Sequence, residues 1–337
     1  MKIGLVSFAH VHAAGYAAAL SAMPGIEVLA ADPGHAARPA SEVGGPALAA
    51  RLGVDHVDTY DELYAWGPDA VVVCSENVDH RADVLRAAAE GVHVLCEKPL
   101  ATSSSDAAAM VQACEEAGVF LMVAYPVRFA PAFAAVRASA DAGDLGQVRA
   151  VSGTNNGQVP TSRAWFTDPA RSGGGAMTDH VVHIADMLDA LFHGRRVTSV
   201  YAVANQILHP DLPVETAGLV SLTYADGVTA VIDCSWSKPA HYPVWGGLTL
   251  NLVTDGGLVD VSPFVQRVDG FSESARNALW LGYGTDLDQL LLAEFLGSVQ
   301  RGVQPQPDGH VGYRTVRVVE AAYESLRLGR PVALDWD

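Results

Sequence analysis

The first third of the chain alternates short, largely apolar runs with helix-length segments, and this pattern limits the possible folds more than any other feature. Ala70-Val71-Val72-Val73-Cys74 carries no charged or amide side chain, as expected of a strand covered on both faces of a parallel sheet. Comparable runs stand at Ile3 to Val6, Ile26 to Ala31, Val92 to Leu95 and Val119 to Ala124. Between them, Ala13 to Met23, Ala47 to Arg51, Asp61 to Trp66, Arg81 to Glu90 and Ala107 to Ala117 read as helices, with a short extended segment at Val57. Ser103 and Asp106 stand at capping-box spacing ahead of the last of these. Strands separated by helices in this way predict a doubly wound parallel α/β sheet over residues 1–125.

The texture changes after Tyr125-Pro126. A helix over Pro131 to Ala142 precedes alternating runs at Gly146 to Ser152, Val197 to Ala204, Ala217 to Tyr224, Val228 to Trp236 and Leu248 to Val253. Turn signals such as Ala225-Asp226-Gly227 separate them, which predicts an α+β domain over residues 126–337 with a large, mostly antiparallel, open-faced sheet. An open face of that size normally meets another subunit, so a homodimer or homotetramer through this sheet is expected. Two domains also suit a chain of 337 residues, which exceeds what one core usually accommodates.

A net charge of −17 argues against nucleic acid and against an anionic membrane surface as partners. No stretch has the length and purity of a membrane span. The apolar run at the start is broken by His10 and His12, so a strand and turn are expected there rather than a signal peptide. The four cysteines show no paired spacing and read as buried free thiols in a reducing compartment. Cytoplasm is the expected location.

The loop Ser7-Phe8-Ala9-His10-Val11-His12 falls where a nucleotide-binding βαβ unit carries Gly-x-Gly-x-x-Gly. Its three glycine slots hold Ser7, Ala9 and His12. Two small residues permit a tight turn and close backbone approach to a pyrophosphate at the following helix N-terminus. His12 does not suit close helix–strand packing, so the loop should open slightly. Asp32 ends the second strand, about 20 residues past the loop, where a carboxylate can accept both hydroxyls of an adenosine ribose and repel a 2′-phosphate. That position favours NAD over NADP, although Asp32 also suits a turn before Pro33-Gly34.

Glu97-Lys98-Pro99 closes the fifth apolar run, at the carboxyl end where open α/β sheets place ligands. Lys98 is one of only three lysines, with Lys2 and Lys238, among 21 basic residues. A compact ammonium that can shed its proton when desolvated suits chemistry better than a guanidinium does. A surface lysine before a turn proline is the plain alternative. Further along, Gly173-Gly174-Gly175 reads as a flexible approach to a helix running to about Phe192. Asp179 and His183 lie four residues apart on one face of that helix. A carboxylate beside an imidazole makes a general base. His183 could equally be a hydrogen-bonded core histidine, or join His180 and Asp179 around a metal.

Taken together, Glu97-Lys98-Pro99, the glycines leading to Asp179-x-x-x-His183, Tyr125 to Phe129 with Arg128, and Ala321 to Ser325 followed by Gly329-Arg330-Pro331-Val332 resemble the glucose–fructose oxidoreductase and inositol dehydrogenase (Gfo/Idh/MocA) family over nearly the whole chain. The resemblance implies a Rossmann domain for a nicotinamide cofactor, a second domain whose sheet makes subunit contacts, and an active site in the cleft between them. It implies that Lys98 polarises the reacting oxygen, that His183 is the acid/base, that Asp179 binds substrate or orients His183, and that no metal takes part. Cofactor contacts are expected from Ser7, Phe8, Ala9, His10, Val11, Asp32, Ser75, Asn77, His80, Glu97 and Lys98, with a cis Lys98–Pro99 bond shaping the nicotinamide side. The helix from Tyr313 to Leu328 is expected to pack toward the first domain.

The implied reaction is NAD-dependent hydride transfer at a hydroxyl carbon of a sugar, cyclitol or sugar derivative. Arg128, Arg163, Trp165 and His241 are candidates to contact such a substrate, with a loop anchor and a buried aromatic as alternative roles for Arg163 and Trp165. A redox-neutral lyase or glycosidase of the same family, or a dinucleotide- or sugar-binding regulatory protein, would use many of the same residues. The sequence departs from the family in the loop at Ser7, in Gly15 where a histidine is common, and in His180. These departures bear on cofactor binding more than on fold.

Overall fold

The computed structural model describes residues 1–336. The chain forms two compact units that interleave along the sequence: residues 1–125, 160–173 and 288–316 form the first, and 126–159, 174–287 and 317–337 the second.

The first unit is built on six strands: β1 (Lys2–Val6), β2 (Glu27–Ala31), β3 (Asp55–Val57), β4 (Ala70–Val73), β5 (His93–Cys96) and β6 (Leu121–Val123). The helices α1 (Ala13–Ser21), α2 (Gly45–Leu52), α3 (Tyr60–Ala65), α4 (His80–Ala89) and α5 (Ser104–Ala117) connect them. Every pairing is parallel, in the order β3-β2-β1-β4-β5-β6. The apolar runs read from the sequence are therefore strands, and all four residues of β4 are completely buried. Ser103 caps α5, its hydroxyl accepting from the Asp106 amide at 3.2 Å.

The order reverses between β1 and β4, which opens a crevice beyond the carboxyl ends of the central strands. The loops after β1, β4 and β5 all emerge there. The amide of His10 donates to the Cys74 carbonyl at 2.8 Å and so joins two of them.

The second unit contains α6 (Pro131–Asp141), β7 (Val148–Gly157), α8 (Ala176–Leu191), β8 (Val197–Asn205), β9 (Ala217–Tyr224), β10 (Thr229–Ser235), β11 (Gly246–Thr254), β12 (Gly257–Val261), β13 (Arg267–Ser272), β14 (Asn277–Gly282) and β15 (Val332–Ala333), with the four-residue α7 (Pro169–Ser172) belonging to the first. Seven strands pair in the order β12-β11-β7-β10-β9-β8-β15, antiparallel except between β7 and β10. Alternation along each strand buries one face, and α8 packs on the buried side: a Cβ on Gly153 of β7 would meet Ile184 of α8 at 2.8 Å. Strands β13 and β14 form a separate hairpin absent from the sequence expectation. Its strands alternate weakly, and Phe271 is 90 % exposed. Helices α9 (Leu287–Arg301) and α10 (Gly309–Leu328) complete the chain. Among the described residues no helix is long and apolar enough to cross a membrane.

Candidate active site

The loop after β1 holds a glycine-like shape without glycine. Ser7 has φ +69°, the left-handed region that favours glycine. Local bonds hold it there: its hydroxyl donates to Asp32 at 3.1 Å and accepts from the Ala9 amide at 3.1 Å. Phe8 is fully buried, so only its backbone can face a ligand, whereas Val11 stands exposed at the loop tip. Two residues from far along the chain hold the Ala9 carbonyl. Arg163 Nε donates to it at 3.0 Å and the Trp165 indole N–H at 3.1 Å. Arg163 and Trp165, candidates for substrate contact, both bond to this loop, Arg163 as the loop anchor of its alternative and Trp165 as a buried aromatic.

The imidazole of His12 sits where a third glycine would, and it donates from Nδ1 to Glu97 Oε1 at 2.9 Å. Tyr16 on α1 donates to the same oxygen at 2.8 Å, and Nδ1 of His10 lies 3.6 Å away. Burial alone would push the Glu97 carboxyl up. The imidazoles of His10 and His12, the His12 hydrogen bond and the Lys98 ammonium instead hold it well below the usual carboxylate range. For His12, burial acts downward but Glu97 outweighs it and the imidazole is raised. His10, more deeply enclosed, is pushed down by burial to about 3, with Glu97 opposing. His10 is therefore neutral at pH 7, and of the pair it is His12 whose protonated form Glu97 favours.

Glu97 in turn organises the segment that follows it. Its Oε2 accepts from the Lys98 amide at 3.1 Å. The Lys98–Pro99 peptide is cis, and the Pro99 carbonyl accepts from His80 Nδ1 at 2.9 Å. Lys98 itself is 5 % exposed, which rules out the surface-turn alternative. The loop after β4 is tied down as well. Asn77 donates to the Ser172 carbonyl at 2.8 Å, and Glu76 accepts from Arg171 at 2.7 Å on both carboxylate oxygens. Ser75 is buried in the same loop.

Asp32 is fully buried and already occupied by its own chain. One oxygen accepts from Ser7 and from the Arg38 guanidinium, the other from the Gly45 amide at 2.8 Å. Neither Arg38 nor Gly45 entered the sequence reading. The signal available was the Gly44-Gly45 pair: a Cβ on Gly44 would lie 2.8 Å from Asp32 Oδ2 and 3.1 Å from an Arg38 nitrogen.

In the second unit the glycine run is close-packed, which corrects the expected flexible approach to the helix. A Cβ on Gly174 would lie 1.9 Å from the Tyr323 hydroxyl, and one on Gly175 2.0 Å from the Glu215 carbonyl oxygen. Glu215 caps α8, accepting from the amides of Gly175 at 3.1 Å and Met177 at 2.9 Å and from the Tyr323 hydroxyl at 2.8 Å. A carboxylate at a helix N-terminus also opposes the positive end of the dipole. Burial raises the Glu215 carboxyl, against these donors.

Asp179 and His183 follow one turn apart on α8, Asp179 buried and His183 half-buried. Trp236 donates its indole N–H to Asp179 Oδ2 at 3.2 Å, and Nε2 of His180 lies 3.1 Å from the same oxygen. His180 donates from Nδ1 to the Asn155 carbonyl at 2.7 Å. The histidine that stood outside the family pattern therefore lies between the Asn155 carbonyl, to which it donates, and the Asp179 carboxylate.

Arg128, a candidate substrate contact, is nearly buried against α8, 2.6 Å from Asp186 with a further hydrogen bond to that residue's carbonyl at 3.1 Å. Burial pushes the Asp186 carboxyl up to about 7 while Arg128 pulls it down. His241 lies in an exposed loop, its carbonyl accepting from Asn277 at 2.8 Å. Among the described residues, His10, His12 and Glu97 form the one set whose donor atoms all lie within 4.8 Å of one another in a way suited to a metal, and Asp179, His180 and His183 form none. The protons of His12 and Tyr16 already satisfy Glu97 Oε1 in that set.

A parallel sheet in this strand order, a tight loop leading into a helix at its switch point and an acidic residue ending β2 define a dinucleotide-binding Rossmann domain. The left-handed Ser7 and the helix N-terminus behind it fit a dinucleotide despite the missing glycines. Residues 3–125 match the oxidoreductase family with an NAD-binding Rossmann fold, and residues 133–259 match the GFO/IDH/MocA C-terminal domain. The chain belongs to the Gfo/Idh/MocA family of oxidoreductases.

Among its relatives is D-xylose 1-dehydrogenase (NADP(+)) 2 of Haloferax volcanii, 32 % identical over 305 residues, covering 87 % of this chain and 90 % of the relative. Inositol 2-dehydrogenase of Rhizobium meliloti is 27 % identical, covering 86 % and 87 %. Among solved structures, GenD2 from gentamicin A biosynthesis in complex with NAD superposes with a TM-score of 0.87 at 25 % identity, covering 100 % of this chain and 97 % of that one. The protein is an NAD(P)-binding oxidoreductase.

Proposed function

We propose that the protein transfers a hydride between a nicotinamide dinucleotide and a hydroxyl-bearing carbon of a sugar, cyclitol or sugar derivative. The observation that carries this reading is Lys98. It is a nearly buried ammonium at the carboxyl end of β5, and its backbone is fixed by the Glu97 carboxylate on one side and the His80–Pro99 bond on the other. Relatives named as xylose and inositol dehydrogenases support the substrate class.

Oxidising an alcohol requires a group to take the hydroxyl proton and positive potential on the oxygen as negative charge develops. In this proposal Lys98 supplies the potential and orients the oxygen, and His183 accepts the proton at an imidazole nitrogen. Asp179, held by the Trp236 indole, binds a neighbouring substrate hydroxyl or orients His183. The nicotinamide, when bound, supplies the hydride acceptor that no side chain can. Ser7 to Val11, with Ser75, Asn77 and His80, would form its cradle.

The test is NADH or NADPH formation across a panel of sugars and polyols, with wild type, Lys98→Ala and His183→Ala. Turnover by wild type and its loss in both variants is expected. Undiminished turnover in either variant would remove that residue from the mechanism, and no reaction across the panel would move the substrate class elsewhere.

We also propose a homo-oligomer through the open sheet face. Tyr201 and Val203 of β8, Leu219 of β9 and Val253 of β11 are each at least 40 % exposed. They share that face, with Val203 directly opposite Leu219. Sedimentation of wild type against Leu219→Asp checks it, and a monomeric wild type would end the idea.

A further inference from the structure

The carboxylate that should receive the adenosine ribose is already satisfied by this chain. An ionised Asp offers about four lone-pair sites on two oxygens, and Asp32 gives three of them to Ser7, Arg38 and Gly45. A ribose diol needs two acceptors, so it cannot take Asp32 in bidentate fashion while these bonds stand. The guanidinium that neutralises Asp32 is only partly used. The Arg38 side chain is 5 % exposed, and its second terminal nitrogen is buried without a hydrogen-bond partner. A buried, unpaired guanidinium N–H costs free energy unless something arrives to accept from it.

The segment carrying Arg38 is packed into place. His35 donates from Nδ1 to the Asp32 carbonyl at 2.7 Å, and a Cβ on Gly45 would lie 2.7 Å from the His35 ring. Gly45 has φ +53°, so a side chain there would also be strained. Two glycines thus let residues 35–45 fold directly onto Asp32. Positive charge is not confined to Arg38. Burial lowers the Arg163 guanidinium, with Glu42 and Asp32 opposing and Arg38 adding to the fall, so both arginines lie in one electrostatic neighbourhood.

We infer that Arg38 is a cofactor-selectivity residue: by cancelling the Asp32 charge and offering its free N–H edge, it admits a 2′-phosphate, so the protein accepts NADP as well as NAD. An aspartate at this position alone repels the 2′-phosphate, whereas a nearby arginine accommodates it. Here both stand in one buried pair, and the pair has no net charge to repel with. A phosphate oxygen is also the acceptor that an unpaired guanidinium N–H lacks, in a charge-assisted geometry. The inference rests on dinucleotide binding by the first unit and concerns only which dinucleotide.

Calorimetry on the full chain tests it with NAD, NADP, 2′,5′-ADP and 5′-AMP, and requires no substrate. Wild type should bind NADP within about tenfold of NAD, and 2′,5′-ADP more tightly than 5′-AMP. Arg38→Ala should lose about 10- to 100-fold in affinity for NADP and 2′,5′-ADP, the range of a charge-assisted bond, while NAD, whose ribose then finds a second Asp32 acceptor free, should bind no more weakly than to wild type. Asp32→Asn, which keeps the shape and removes the opposing charge, should tighten NADP. The wild-type ratio needs no variant, so a misfolded Arg38→Ala leaves the test intact. A wild type preferring NAD by more than about 100-fold would overturn the inference and leave the dehydrogenase reading standing. Failure to bind either dinucleotide would overturn both.

Discussion

The loop after β1 and the start of α8 solve the same problem, holding a polar group at a site, by opposite means. At α8 the candidate groups Asp179 and His183 come from one turn of one helix, so their proximity is a local matter of helical spacing. At the β1 loop nothing local suffices. The Ala9 carbonyl is held by Arg163 and Trp165, and His12 is held by Glu97, from 154, 156 and 85 residues away. A glycine-rich loop needs no such props, because glycine adopts left-handed and closely approached backbone freely. This chain has replaced conformational freedom with tethering.

The comparison can be broken first at the chemistry. Lys98→Ala and His183→Ala should each lower kcat by about 10²- to 10⁴-fold, the usual worth of a positioned acid or base, with dinucleotide affinity changed little for His183→Ala. Stopped-flow hydride transfer and calorimetry measure the two effects separately. The next largest effect is on stability in the second unit. Arg128→Ala would leave the Asp186 carboxyl, already raised to about 7, buried on α8 without its guanidinium partner and should cost about 1–3 kcal/mol. Arg128→Ala with Asp186→Asn should recover part of that loss in denaturant unfolding. Equal stability of single and double variants would show that the pair is not coupled.

Tethering of the loop is tested by Trp165→Phe, which keeps the ring and removes one N–H. A loss of about 1 kcal/mol in stability is expected, with dinucleotide binding weakened by about fivefold if the loop shape depends on the tether. An affinity as tight as wild type would mean that the loop holds its shape unaided. The smallest effect is a pH dependence carried by His12. Its imidazole is raised above the ordinary 6.5 by Glu97. The stabilisation is therefore fully present below about pH 6.5 and is lost as pH rises through the elevated value. Compared with His12→Asn, the wild-type melting temperature should hold its advantage near pH 6 and lose it progressively as pH rises above that. An advantage that grows with pH would reverse the assigned direction.

Much of the fold was legible in the residues. Five of the six strands of the first unit announce themselves as largely apolar runs, and α8 shows its own length and the spacing of its site. The β13–β14 hairpin was not legible, because its strands are solvated on both sides and lack the burial that writes alternation into a sequence. His180 looked like an unexplained departure until Asn155 and Asp179 were found on either side of it.

By itself, then, the amino-acid order determined whatever depends on periodicity and neighbours: the parallel sheet, the placing of Lys98 after its fifth strand, and the i, i+4 pairing of Asp179 with His183. Only the tertiary structure decided which groups these residues answer to. Hydrogen bonds between residues far apart in sequence leave no periodic trace, yet the charge of a buried group is set mainly by them. Asp32 reads as an open ribose acceptor along the chain, and in three dimensions it is the closed partner of Arg38.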